Sequence, residues 1–205
     1  MVFRRTMTAF TSLLCLFVTC LIGCVHHRVT TYLSQDHVFP NPTPAISIAV
    51  SVSSIPSEAL LEREVKHKLV KLLTEKGYET ADRHSANYEL LASFGIDNGA
   101  ERIGSRPVTN QGVTTYKTTS ATVYSRMLRL TLVSLDAAEY GDPAQNDEAV
   151  CWSAITRSRG SSSDIRTMID YLLVATMDYW GVDTGKEVKE TLSKRDRRVH
   201  ALDAP

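Results

Sequence analysis

Three cysteines, Cys15, Cys20 and Cys24, fall within ten residues of one another, and a fourth, Cys151, stands alone far downstream. A thiol can be a nucleophile, a metal ligand, half of a disulfide or a point of attachment, and spacing separates these roles. Cysteines crowded into one apolar run cannot staple a fold, so no disulfide framework is expected. The histidines, His26, His27, His37, His67, His84 and His200, form neither an HExxH pair nor a Cys/His set with zinc spacing, so no metal site is expected either. Cys151 sits beside Trp152 without a local partner motif, whereas a catalytic thiolate needs a nearby His or a helix N-terminus to lower its pKa. It reads as a buried structural cysteine. Ser161, Ser162 and Ser163 follow Gly160 but lack the second glycine of Gly-x-Ser-x-Gly, and helix capping accounts for them. Gly181 to Lys186 has three residues between its glycines where a phosphate loop needs four, and Glu187 where Ser or Thr must follow the lysine. With no catalytic residue to name, an enzyme is not expected.

Cys24 is different. Arg4 and Arg5 precede an apolar run from Ala9 to Gly23, which is short for a helix that must cross about 30 Å of hydrocarbon and suits a signal peptide. The run closes on Leu21-Ile22-Gly23-Cys24, which resembles the bacterial lipobox. That resemblance implies cleavage between Gly23 and Cys24, a diacylglycerol on the Cys24 thiol and an acyl chain on its amine. Two or three acyl chains anchor stably where one does not. By the same resemblance, Val25 in place of an aspartate favours sorting to the outer membrane. The expected location is therefore the periplasmic side of that membrane, with the lipid on Cys24 as the covalent group and no other cofactor.

The elements that carry these residues follow from periodicity. Residues 24–44 hold Pro40, Pro42 and Pro44 and read as a lipidated N-terminus with a stiff Pro-rich tether, unless residues 28–34 pair as an edge strand. Ile46, Ile48, Val50 and Val52 alternate with small or polar residues, as in a strand with one buried face. A helix is expected from Ser57 to about Lys76, with the stripe Leu61, Val65, Leu69, Leu72 and Leu73, ion-pair spacings Glu62/Lys66 and Glu64/Lys68, and a stop at Gly77. Tyr88 to Ile96 alternates again. Residues 98–120 lose periodicity and read as a long loop or an elaborated hairpin tip. Strands are expected over 121–135 and around Val150 to Ile155, then a helix opened by Ser161 and Asp164 and ending near Gly181. Trp152, Tyr179 and Trp180 fall on apolar faces and read as core. Beyond Gly185 the chain turns polar, and 185–205, with Lys194, Arg195, Arg197 and Arg198, reads as a charged, disordered tail or a minor contact with anionic lipid or cell-wall polymer. The sum is one α+β domain over 45–184: a two-layer fold, an antiparallel-rich sheet of four to five strands with two main helices on one face.

The lipobox-like stretch, Leu73-Thr74-Glu75-Lys76-Gly77-Tyr78 and Ala86-Asn87-Tyr88-Glu89-Leu90 together resemble small bacterial envelope lipoproteins of the domain-of-unknown-function DUF4136 type, with Asn87 where an aspartate is typical. The resemblance implies an envelope location and a compact α+β domain, and it implies no activity. Charge agrees with a partner other than nucleic acid: 23 basic and 23 acidic residues cancel, and without residues 1–23 there are 21 against 23. The expected function is that of a non-enzymatic, lipid-anchored accessory or interaction protein, bound to the membrane and to an envelope protein partner. The alternatives are a lipid- or glycan-binding module and, less favoured, a thiol or serine hydrolase. Intact mass spectrometry of the membrane-extracted protein is expected to find a chain that starts at an acylated Cys24; an unmodified Cys24 or a retained Met1 overturns the anchor.

Overall fold

A computed structural model describes residues 24–34, 38–43, 46–110, 113–136 and 149–202. Gly23 and the apolar run before it lie outside the described residues. The element order is β1 (Cys24–Leu33), β2 (Ser47–Ile55), α1 (Ala59–Glu75), β3 (Glu79–Thr80), β4 (Tyr88–Ile96), β5 (Ala100–Asn110), β6 (Val113–Ser134), β7 (Val150–Gly160), α2 (Arg166–Met177), β8 (Val188–Ser193) and α3 (Arg197–Leu202). Eight strands form one mixed sheet in the order β3-β2-β4-β6-β7-β1-β8, with β5 paired to β6 off this path. The fold is α+β, but the expectation of four to five strands and two helices is corrected: the described residues hold eight strands and three helices. The extra strands come from three segments whose pattern is not strongly apolar. Residues 24–33, read as tether, form an inner strand; the loop 98–120 is a paired ribbon; and the expected tail contributes β8 and α3.

Alternation decides which side of the sheet is covered. Ile48, Val50, Leu90, Ala92, Phe94, Leu128, Leu130, Leu132, Trp152, Ala154 and Val29 occupy registered positions on one face and are all buried. Against them α1 sets Leu61, Val65, Leu69 and Leu73, and α2 sets Ile169, Leu172 and Leu173. The α1 set recurs at every fourth residue and the α2 set at i, i+3 and i+4, which puts each set on one helical stripe. Helix α1 returns the chain so that β4 runs parallel to β2, while the remaining long pairings are antiparallel. It ends where the sequence places its stop: Gly77 has φ +88°, and the Tyr78 N–H donates to the Leu73 carbonyl. At its start one of the two expected ion-pair spacings is used differently. Glu62, rather than pairing with Lys66, accepts from the Ser54 N–H at 2.9 Å and from the Ser54 hydroxyl at 2.7 Å.

Two features lock the helical layer. Lys68 of α1 donates to both carboxylate oxygens of Asp170 on α2, at 2.8 and 2.9 Å, and also to Glu64 at 2.7 Å. At the other end Phe39 packs edge-on against Trp180 and Trp152, and the Tyr78 hydroxyl donates to the Pro40 carbonyl at 2.7 Å. Gly181, φ +72°, is required there, since a β-carbon would meet the Phe39 ring at 2.7 Å. The Pro-rich segment is thus held against the body. A buried pair is costly to break on one side only: Asp170→Ala or Lys68→Met is expected to lower unfolding stability by about 3 kcal/mol. The double replacement Lys68→Met/Asp170→Leu is expected to recover most of that in urea titrations.

Candidate functional site

The face of the sheet opposite the helices carries Ser51, Ser53, Leu91, Ser93, Arg129, Thr131, Ser153, Ile155, Arg157 and Arg159, together with Tyr32, Thr30, Arg28 and His26 of β1. Among the described residues no helix covers it, because the three helices described pack on the apolar side. Its chemistry changes along the strands. Toward Tyr32 it is hydroxyl-rich, with a groove of about 480 Å³ lined by Tyr32, Arg129, Thr131 and Ser153. Toward Cys24 it becomes cationic. Arg28 lies directly opposite Arg157 on one side and Lys189 on the other, so three positive side chains stand in one row across β7, β1 and β8. A groove of about 590 Å³ runs beside them, lined also by His26, Arg159 and Glu187. Like charges set directly opposite one another in a sheet repel and destabilise it. Among the described residues one ion pair relieves the row, Arg28 to Glu187 at 2.6 Å.

The second exposed feature is the β5–β6 ribbon. Its strands pair in register from Ala100↔Val123 to Asn110↔Val113 and project beyond the body, since β7 joins β6 only from Tyr124 onward. Side chains on both of its faces are exposed, including Ile103 and Tyr116 at 73% each.

The residues singled out from sequence are placed as follows. Cys24 is the first residue of β1 and pairs with Ser193, and half-buried Val25 pairs with Leu192. His26 is exposed, with Nδ1 3.0 Å from the Thr191 hydroxyl. Cys151 is 1% exposed, and burial pushes its thiol up, the opposite of what a thiolate nucleophile needs. Ser162 and Asp164 cap the entry to α2 through the Asp164 and Arg166 N–H groups, one residue later than the expected Ser161 box. Among the described residues no group of three or more His, Cys, Asp or Glu is placed to hold a metal ion. The space between sheet and helices is filled by Leu90, Leu130, Leu172 and Trp152, which argues against a ligand held there.

Sequence reasoning missed a polar row beneath the basic one, buried at Arg126, Ser158 and His27 and half-buried at Glu190. Arg126, Ser158, His27 and Glu190 stand opposite one another across β6, β7, β1 and β8 on the helix side. Arg126 donates to the Ser162 carbonyl. Neither ring nitrogen of His27 nor the Ser158 hydroxyl has a hydrogen-bond partner within the described protein, and the His27 ring stacks on Tyr171 at 6.3 Å. Such residues in an inward register are the only sequence signal, and they break the apolar alternation that marks a strand.

No known protein family and no curated protein matches the chain by sequence. Among solved structures, it is similar to a PDZ domain protein from Parabacteroides distasonis (TM-score 0.48, 14% identity, 84% of this chain and 40% of that one). It thus spans well under half of that structure. It is also similar to a PelC dodecamer subunit from Paraburkholderia phytofirmans (TM-score 0.42, 13% identity, 76% of this chain and 98% of that one). A further structural neighbour is a DUF4136 family protein from Bacteroides thetaiotaomicron (TM-score 0.38, 11% identity, 85% and 91%).

Burial, and secondarily the charge of His26, lowers His27 from 6.5 to about 4. The folded state therefore holds His27 neutral while the unfolded chain takes up a proton below about pH 6.5. Above that pH neither state is protonated and the group has no pH-dependent effect. As pH falls from 6.5 to 4, up to about 3 kcal/mol of stability is lost. Urea midpoints measured across that range are expected to fall steeply for the wild type and more shallowly for His27→Leu; parallel curves would remove His27 as the cause.

Proposed function

We propose that this chain is a lipid-anchored, non-enzymatic accessory protein of the bacterial envelope, held at the periplasmic face of the outer membrane through Cys24 and presenting the β5–β6 ribbon to a protein partner. The observation that carries the reading is the ribbon itself. An isolated two-stranded ribbon gains little from its own pairing in water, and this one exposes Ile103, Val113 and Tyr116 without packing on the body. Exposed backbone edges flanked by aromatic and β-branched side chains suit addition of a strand or packing against another protein. Supporting the location are the lipobox-like Leu21 to Cys24, the preceding arginines and Val25. Supporting a role without covalent chemistry are the inert, buried Cys151 and the capping roles of Ser162 and Asp164.

The test replaces Tyr116 with a photo-crosslinking residue in the full-length chain and compares it with the same residue at exposed Leu60 on α1. A discrete adduct in intact cells is expected from position 116 and not from position 60. Joining Glu101 to Thr122, which face each other, through an Asn-Gly turn removes the ribbon. That variant is expected to unfold within a few degrees of wild type and to lose the accessory function in a deletion strain, whereas Cys151→Ser keeps it. A ribbonless protein with full function overturns the proposal.

A further inference from the structure

The C-terminal segment, read from sequence as a free tail, is built into the fold: Lys189 lies in β8, and Lys194 and Arg195 follow directly on that strand. β8 ends at Ser193 opposite Cys24, so exposed Lys194 and Arg195 stand beside the first residue of β1. Arg28 lies four residues along the same strand, about 13 Å away at roughly 3.3 Å per residue. Arg157 and Lys189 flank Arg28, and Arg159 lies two residues further along β7 toward the Cys24 end. The carboxylates near these six cations are largely engaged: Glu187 by Arg28, Asp196 by Arg198, and Asp97 by the Ser125 and Gly99 N–H groups.

We propose that this end of the open face binds the phosphate headgroups of anionic phospholipids in the membrane that carries the Cys24 anchor. For its membrane, the proposal rests on the anchor reading above. Three features select headgroups as the occupant. Arg28, Arg157, Arg159 and Lys189 are spread over three neighbouring strands of one face, beside an open groove, so several phosphates can be met at once. They lie at the anchored end of the chain: β1 begins at Cys24 itself, so no flexible tether separates the lipid from the strand that carries Arg28. Tyr32, the aromatic ring among the described residues of this face on which a sugar could stack, is at the far end of β1. Arginine guanidinium groups donate paired hydrogen bonds to phosphate, and acyl chains with a basic patch make a two-signal membrane attachment.

The test reconstitutes the acylated full-length protein into vesicles of phosphatidylcholine alone or mixed with phosphatidylglycerol. The rate at which an amine-reactive reagent labels Lys189 is then compared with that for Lys117 on the ribbon. Lys189 is expected to react at least about threefold more slowly on the mixed vesicles, with Lys117 unchanged. The difference is expected to vanish at high salt and in Arg157→Gln/Arg159→Gln, two exposed positions whose neutralisation leaves the core intact. Equal Lys189 rates on both vesicles overturn the proposal, as does equal protection by soluble polygalacturonate, which would make an acidic polymer the partner. If mass spectrometry finds Cys24 unmodified, the anchor reading fails by itself. Flotation of the same protein then decides the headgroup proposal: excess flotation with the mixed vesicles that is lost in the variant sustains it, and flotation equal for both vesicles or for both proteins removes it.

Discussion

Strand β1 is held on both of its edges, by seven registered pairs to β7 and six to β8, and the remaining features of this protein depend on that insertion. A strand added at a sheet edge could fray without consequence, but one paired on both sides completes two neighbours at once. β8 reaches the sheet only through β1, and α3 follows β8. The chain therefore closes on itself, with the first described residue opposite the residue that ends the last strand. Arg28 lies between Arg157 and Lys189, and His27, one position along, points the other way into the core.

Burial on one side sets the division of labour. Helices α1, α2 and α3 cover the face made by Leu90, Leu130, Trp152 and their registered neighbours, and alternation sends the intervening residues to the opposite side, where no element among the described residues covers them. The ribbon extends this logic. Past Tyr124, toward the tip, β6 has only β5 beside it and no helix above it, so neither of its faces is obliged to be apolar. Its threonines satisfy strand propensity without a core.

Much of the fold was legible where a segment buries one apolar stripe. The alternation from Ile46 to Val52, the helix stripe Leu61, Val65, Leu69 and Leu73, the alternation from Tyr88 to Ile96, and the tryptophans as core all match the elements that carry them. Three strands were hidden for different reasons. In β1 the inward positions are Val25, His27, Val29 and Thr31, and two polar residues in that series mask a period of two. In β8 the inward series Val188, Glu190, Leu192 is outweighed by the lysines around it and by the charged residues that follow. The ribbon buries nothing and so gives no periodic signal. β1 and β8 owe their structure to partners distant in the chain, and single-segment patterns carry little information about such pairing.

By itself the sequence determined the local choices: which stripes are apolar, where Gly77 and Gly181 end helical segments, and that Cys24 closes an apolar run in a lipobox-like setting. Those follow from neighbours within a few residues, where periodicity and backbone conformation act. Only the tertiary structure decided the strands and their order, the open face, the burial of His27 without a hydrogen-bond partner among the described residues, and the row that joins Arg28 to Arg157 and Lys189. The physical reason is that a sheet brings together residues far apart in the chain through backbone hydrogen bonds common to every sequence, so side-chain chemistry is juxtaposed by register and not by spacing.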